Sequence, residues 1–397
     1  MKVCMVAYTF YETDNRVRRY AEALVKRGDQ VDAITLARDG QPRFETIEGV
    51  RVFRVQKRVL DEKGPLSYLV KLLLFWVRSA AWLTAKHLQS PYDVVHVHSV
   101  PDFEVFATLI PRLMGARVIL DIHDIVPEFY ASKFNVTERS VVFKILVLVE
   151  RLSTRYSHFV IISNDLWREK IIRRSVSGDK CTAITNYPDF SIFWRRPRLT
   201  TQRGEFVMCY PGTLNWHQGL DVAIGAMALL RDRAPNVRLL IIGDGPDRKT
   251  LARMISDLCL ADRVSLRGLV SLEEIAKIMA SIDLGVVPKR KDSFGNEAFS
   301  TKIMEFMAMN VPVLASRTRI DEYYFTEELI RFFESGNPED LADKILELMQ
   351  DPLHRASLCQ KSTEFIAKNN WDIKKHEYLS IVDQLTGPLS RAVPSKN

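Results

Sequence analysis

An α/β fold made of two doubly wound domains is what the sequence predicts, and three observations predict it. Short β-branched apolar runs alternate with longer amphipathic stretches along the whole chain. The 397 residues, 47% of them apolar, exceed what one compact core holds and suit two. The runs also form two series, parted by a basic, proline-bearing stretch from Asp189 to Gly204 that breaks the alternation. Near-continuous apolar runs between helical segments mark parallel strands covered on both faces.

The expected strands are VCMVAY, VDAIT, DVVHVHS, RVILDIH and FVIIS in the first half, then FVMCY, VRLLIIG, VSLRG, LGVVP and VPVLAS. The opening MKVCMVAYTF is one short apolar run with no charged leader or cleavage site, so it reads as a buried first strand rather than a secretion signal. The expected domains are residues 1–190 and 204–370. Such sheets bind ligands at the carboxyl ends of their strands, and two of them facing each other leave an interdomain cleft in which function is sought.

Bulk properties narrow the classes. Five scattered cysteines with no C-x-x-C pair indicate neither a disulfide framework nor a zinc site and suit a reducing cytoplasm. A net charge of +7 is compatible with nucleic acid, anionic membrane or phosphorylated small molecules. No zinc-finger spacing, aromatic RNA-binding signature or arginine cluster is present, so nucleic acid is not expected.

Along the chain, the loop YTFYETDNRVRRYAEAL follows the first strand, with Asp14 or Asn15 as the cap of a helix whose N–H groups point at the cleft. The stretch LSYLVKLLLFWVRSAAWLTAKHL approaches the length of a membrane span, but Lys71 and Arg78 interrupt it one heptad apart. SVVFKILVLVERLSTRY repeats the theme with Lys144, Arg151 and Arg155 on nearly one line. Two readings stand: peripheral docking on anionic lipid, or half-buried helices whose cations snorkel. A transmembrane span is not expected. HVHS places His96 and His98 at one strand end, and DIHDIVPEFY places His123 and Asp124 at the next. A metal would want a tighter ligand set, and no D-x-D holds an ion on a diphosphate, so no metal is expected.

In the second half, FVMCY runs into PGTLNWHQGLDVAIGAM, where Gly212 and Gly219 bracket a loop that opens a helix. VRLLIIGDGPDRKTLARM has a turn at Gly243 and Gly245, but Arg248 stands where a dinucleotide motif wants its third glycine, and the strand is not the first of its domain. A tight or phosphate-friendly turn is the reading. SFGNEAFSTKIME carries Glu297 and Glu305 with Lys302 between them and a helix start near Ser300. The three charges fit a solvated helix face or a ligand site. Lysine in a first helical turn opposes the macrodipole, whereas a diphosphate there would be favoured by both. Glu305 suits a ribose diol and Glu297 the hydroxyls of a sugar.

The second half resembles the retaining glycosyltransferases of family 4, which have the GT-B architecture. The motifs run in order from YPGTLNWHQGLDVAIGAM through VRLLIIGDGP and VSLRGLV to SFGNEAFSTKIMEFMAMNVPVLAS, with the family's E-x7-E met by Glu297 and Glu305. YTFYETDNRVRRYAEALVKRG, DVVHVHS and DIHDIVPEFY are similar to its acceptor-domain motifs, and NWDIKKHEYLSIVDQL to its closing helix, which the resemblance implies over 371–386, crossing back to the first domain. The resemblance implies transfer of a sugar from a nucleotide diphosphate-sugar, UDP- or GDP-linked, with retention and with no metal or cofactor. It implies that Glu305 holds the ribose, Glu297 orients the donor sugar, and the backbone at Arg267 and Gly268 meets the base. Gly212, Thr213, Gln218, Gly243 and Asn296 would complete the donor site, His123 would sit against the reacting sugar, and Asp14, Asn15, His98 and Asp124 would serve the acceptor. The family's arginine and lysine clamp on the diphosphate is missing, with Gln218 at the lysine position. Lys302 is the nearest substitute, with Lys289 or Arg290 as helpers. The family's habit implies a lipid-linked or oligosaccharide acceptor, surface-polysaccharide or lipopolysaccharide synthesis and a cytoplasmic, peripheral membrane location. A nucleotide-sugar epimerase of the same architecture, or an inactive nucleotide-sugar-binding protein, remain as alternatives.

Overall fold

The computed structural model describes residues 1–58, 65–134, 136–197 and 204–387. These fall into two compact units, Met1–Asn186 with the segment from Lys375 onward, and Tyr187–Lys374. Of the expected joint at 189–204, residues 198–203 lie outside the described residues, and Phe193 is buried in the second unit's core.

In the first unit, eight strands form one sheet: β1 (Lys2–Ala7), β2 (Gln30–Ala37), β3 (Phe44–Ile47), β4 (Val50–Lys57), β5 (Val94–His98), β6 (Arg117–Ile122), β7 (Phe159–Ile162) and β8 (Cys181–Ala183), in the order β3-β4-β2-β1-β5-β6-β7-β8. All pairings are parallel except the hairpin of β3 with β4. The central strand β5, VVHVH, is buried at every position, as a strand covered on both faces must be. Register matters for the chemistry: His98 pairs with Asp121, which sets a histidine and a carboxylate side by side at the carboxyl edge.

The second unit carries six parallel strands, β9 (Phe206–Pro211), β10 (Val237–Ile242), β11 (Val264–Arg267), β12 (Leu284–Val287), β13 (Val313–Ser316) and β14 (Arg331–Phe333), in the order β11-β10-β9-β12-β13-β14. Two buried clusters cover its two faces, and the two-residue side-chain period splits neighbours between them: Met208 and Tyr210 enter one, Cys209 the other. The switch in strand order lies at β9, between β10 and β12, and the loops after these strands carry the candidate site. The ten expected strands are all present. Four were not expected, β3, β4, β8 and β14, and three of these are sheet edges.

Candidate active site

In the second unit Gly212, Thr213, Gly243 and Gly268 lie just beyond the carboxyl ends of strands, and Lys302 lies at a helix start. Ser300 occupies the N-cap position of the helix Thr301–Ala308, so Lys302 stands in the first turn and Glu305 one turn deeper, as the spacing predicts. Gly212 follows β9 with φ +145°, and a Cβ there would lie 2.3 Å from Lys302 Cε, so the glycine makes room for this lysine. Gly243 follows β10 with φ +146°, and its Cβ would meet the Gly212 carbonyl oxygen at 1.9 Å. These two glycines bring the loops together and lay the lysine across them.

Lys302 is held by weak partners. Its Nζ donates to Gln218 Oε1 at 3.3 Å and stands 5.1 Å from the Tyr210 ring centre. Tyr210 fixes that glutamine, its hydroxyl lying 2.9 Å from both Gln218 Oε1 and the Thr213 carbonyl. Burial pulls the lysine's pKa down to about 8, while Glu305 holds it up and Lys289 adds to the depression. A desolvated ammonium at a helix N-terminus, facing a neutral amide, is an electrostatic deficit that an anion would repair.

The proposed helpers are committed elsewhere. Lys289 is buried, donates to the Ala298 carbonyl at 2.7 Å and pairs with Asp321 at 3.0 Å. Arg290 pairs with Asp221 and lies 3.5 Å over the Trp216 ring. Lys289 thus ties β12 to the helix Arg319–Tyr324, and Arg290 ties the same loop to Trp216. The expectation that either assists Lys302 is corrected: both are structural.

Glu297 sits in a loop built by Asp292. That carboxylate accepts from the Phe294 and Gly295 amides at 3.0 and 2.6 Å and bonds His217 Nδ1 at 2.7 Å. Burial pushes its pKa up, but the His217 and backbone hydrogen bonds outweigh that and hold it below the usual range. Glu297 is buried and pairs with Arg319 Nη1 at 3.0 Å. The Asn296 side-chain oxygen accepts from the Arg319 amide at 2.8 Å, so this predicted donor ligand spends its carbonyl on the scaffold. Arg267 ends β11 and Gly268 follows it, at the same sheet edge.

In the first unit, Asp14, not Asn15, caps the helix Asn15–Arg27, accepting from the Arg16 and Val17 amides at 3.1 Å each. The predicted His98 and His123 converge with His96 on Asp121, which the sequence reading passed over. Arg16 grips both oxygens of Asp121, at 2.6 and 2.8 Å. His98 Nδ1 and His123 Nε2 lie 3.2 and 3.1 Å from Oδ2. Burial would raise the Asp121 pKa, yet Arg16, then His123, hold it well below the carboxylate range. Burial shifts the pKa of both His96 and His98 down, with Asp121 opposing. His96 Nδ1 is 3.1 Å from the Tyr378 hydroxyl on the helix Trp371–Thr386. Burial raises the pKa of Asp124, with His123 opposing. His96, His98 and Asp121 have donor atoms close enough together for an ion. The bidentate Arg16 already satisfies that carboxylate, so the set suits a buried charge network better than a cation. An aspartate inside the apolar run RVILDIH was the sequence signal for this cluster; Arg319 carried none.

Comparison with known proteins follows these lines. The family described as glycosyl transferases group 1 matches residues 195–365, and the glycosyl transferase 4-like domain matches residues 13–187. The chain is 25% identical over 393 residues to an alpha-D-kanosaminyltransferase of Streptomyces kanamyceticus, covering 94% of this chain and 97% of that protein. Among solved structures it is similar to the sucrose-phosphate synthase of Thermosynechococcus elongatus, with a TM-score of 0.80 at 20% identity over 97% of this chain and 99% of the other. It is also similar to Anabaena HepE in complex with UDP-glucose, with a TM-score of 0.71 at 17% identity over 97% and 100% of the two chains. The two-domain α/β fold with parallel sheets is that of the GT-B proteins.

Proposed function

From the premise that the chain belongs to the group 1 glycosyltransferases and uses a nucleotide-sugar donor, we propose that it transfers a hexose-type sugar with retention to a lipid-linked glycan acceptor. The observation that carries the reading is Lys302: a buried cation at a helix start, backed by a glycine that leaves room for it and by an amide that cannot neutralise it. A nucleotide diphosphate supplies the missing charge. Lys302 and the N–H groups of the first turn then stabilise the leaving phosphate, worth about 3 kcal/mol for one well-aimed donor.

Glu305, a turn deeper, takes the ribose diol, and the residues at Arg267 and Gly268 meet the base. Glu297, held rigid by Arg319, orients the donor sugar, and His123, fixed by Asp121, is assigned to catalysis on the first unit. With Glu297 already engaged by a cation, attack from the same face as the leaving group is favoured over a carboxylate nucleophile. The leaving phosphate then takes the acceptor's proton. The positive charge of Lys302 and the helix start makes a metal unnecessary in this scheme. Asp14, Asn15, His98 and Asp124 are assigned to the acceptor unit, although Asp14 and His98 also serve the fold. A cytoplasmic enzyme working at the membrane surface, in surface-polysaccharide assembly, fits this acceptor class.

The test is incubation of the purified protein with radiolabelled UDP- and GDP-sugars and a membrane extract. Lipid-phase label is expected, lost in Lys302→Ala and Glu305→Ala with folding intact. Interconverted nucleotide sugar, or binding without turnover, would replace the transfer reading, and wild-type rates in both variants would remove the site.

A further inference from the structure

One face of the first unit is left apolar by the fold. The helix Pro65–Gln89 buries Leu72, Phe75, Ser79 and Leu83 at three- and four-residue spacing and turns a second apolar stripe outward, on which Leu73 and Val77 are 44% and 53% exposed. This helix passes the length and composition test for a membrane span, yet its regular buried stripe shows that it lies along the unit. The segment Asp102–Thr108 packs between it and the helix Val141–Tyr156, and the short helix Leu109–Leu113 packs against the first. Arg112 donates to the Tyr156 carbonyl at 3.1 Å and fixes the other join. Leu113 is 71% exposed, and Ile145, Leu148 and Leu152 are each at least half exposed.

The exposed charges of these three helices have one sign. The helices Pro65–Gln89 and Leu109–Leu113 contain no acidic residue, and the lone acid of Val141–Tyr156, Glu150, is buried against Arg174. Arg78, Lys144, Arg151 and Arg155 are exposed at the edges. A second copy of the chain would set like charges against like charges here, whereas an anionic bilayer answers both the apolar stripe and its cationic fringe. We propose that this face docks on an anionic membrane surface, lying in the interface with Leu73, Val77 and Leu148 inserted. The proposal rests on the reading of a lipid-linked acceptor and names the surface that would bring the enzyme to it.

The experiment is co-sedimentation of the full chain with vesicles of phosphatidylcholine alone and with added phosphatidylglycerol. Binding to the anionic vesicles is expected. It should fall roughly tenfold or more in the triple variant Leu73→Glu/Val77→Glu/Leu148→Glu, from lost insertion. A several-fold loss, with weaker salt dependence, is expected in Lys144→Gln/Arg151→Gln/Arg155→Gln. UDP binding and thermal unfolding should match the parent in both. A chain that stays in the supernatant, a glutamate variant that binds like the parent, or a parent dimer in sedimentation velocity that the glutamates split, would overturn the proposal. Transfer to a detergent-solubilised lipid acceptor without vesicle binding removes this face and leaves the reaction standing. Vesicle binding without any lipid-phase product keeps the face and removes the acceptor reading.

Discussion

Replacing Lys302 by methionine separates stability from catalysis. Burial lowers the lysine pKa from 10.5 to about 8 in the folded protein. That difference corresponds to about 3 kcal/mol against the charged form. The folded value lies below the unfolded one, so the penalty is present in full below pH 8 and is relieved as pH rises from 8 toward 10.5. Methionine keeps the unbranched stem and removes the charge. Against that gain, Gln218 loses its 3.3 Å donor and the buried amide is left with one partner fewer, which returns roughly 1–2 kcal/mol. The ligand-free variant should therefore be more stable by about 1–2 kcal/mol, a rise in Tm of roughly 2–8 °C for a unit of this size. Removing a donor aimed at developing charge should cost roughly 10²–10³ in kcat. Calorimetry at pH 7 and single-turnover transfer from the labelled donor read the two effects. A variant that is less stable than the parent and transfers at the parent's rate would refute the reasoning.

Two further outcomes follow from the same geometry. Gly212→Ala should lose about 1–3 kcal/mol to backbone strain and displace the Lys302 side chain, so UDP affinity by titration calorimetry should drop while the helix content by circular dichroism is kept. Asp121→Asn leaves Arg16 buried without its carboxylate and should cost about 3–5 kcal/mol in urea unfolding. The parent should lose the same contribution as pH falls through the acid range, because the folded pKa of Asp121 is depressed.

The strands that the sequence announced are those whose residues are apolar because both faces are covered. β8 and β14 are three-residue edge strands and β3 an exposed one, each too short or too polar to stand out. β4 alternates buried and half-buried positions, and its Arg54 and Gln56 are buried polar residues that obscure the pattern. The stretch SFGNEAFSTKIME was legible because its charges and its helix start are local. What was illegible depends on register and on loops meeting: Asp121 beside His98, His217 holding Asp292, and Asp321 claiming the Lys289 ammonium. Lysines 289 and 302 look alike in the sequence. Only packing shows that Lys289 is ion-paired with Asp321 while Lys302 hydrogen-bonds the Gln218 amide.

The central claim is that a nucleotide diphosphate completes the charge of Lys302. Titration calorimetry of UDP at pH 8.5, repeated in buffers of different ionisation enthalpy, counts the protons taken up on binding. With a pKa of about 8 in the folded protein, much of the lysine is neutral at that pH and must be protonated against the diphosphate. The account predicts net uptake of a fraction of a proton by the parent and none by Lys302→Met. Equal uptake in the two, or UDP binding with no proton taken up by the parent, would contradict it.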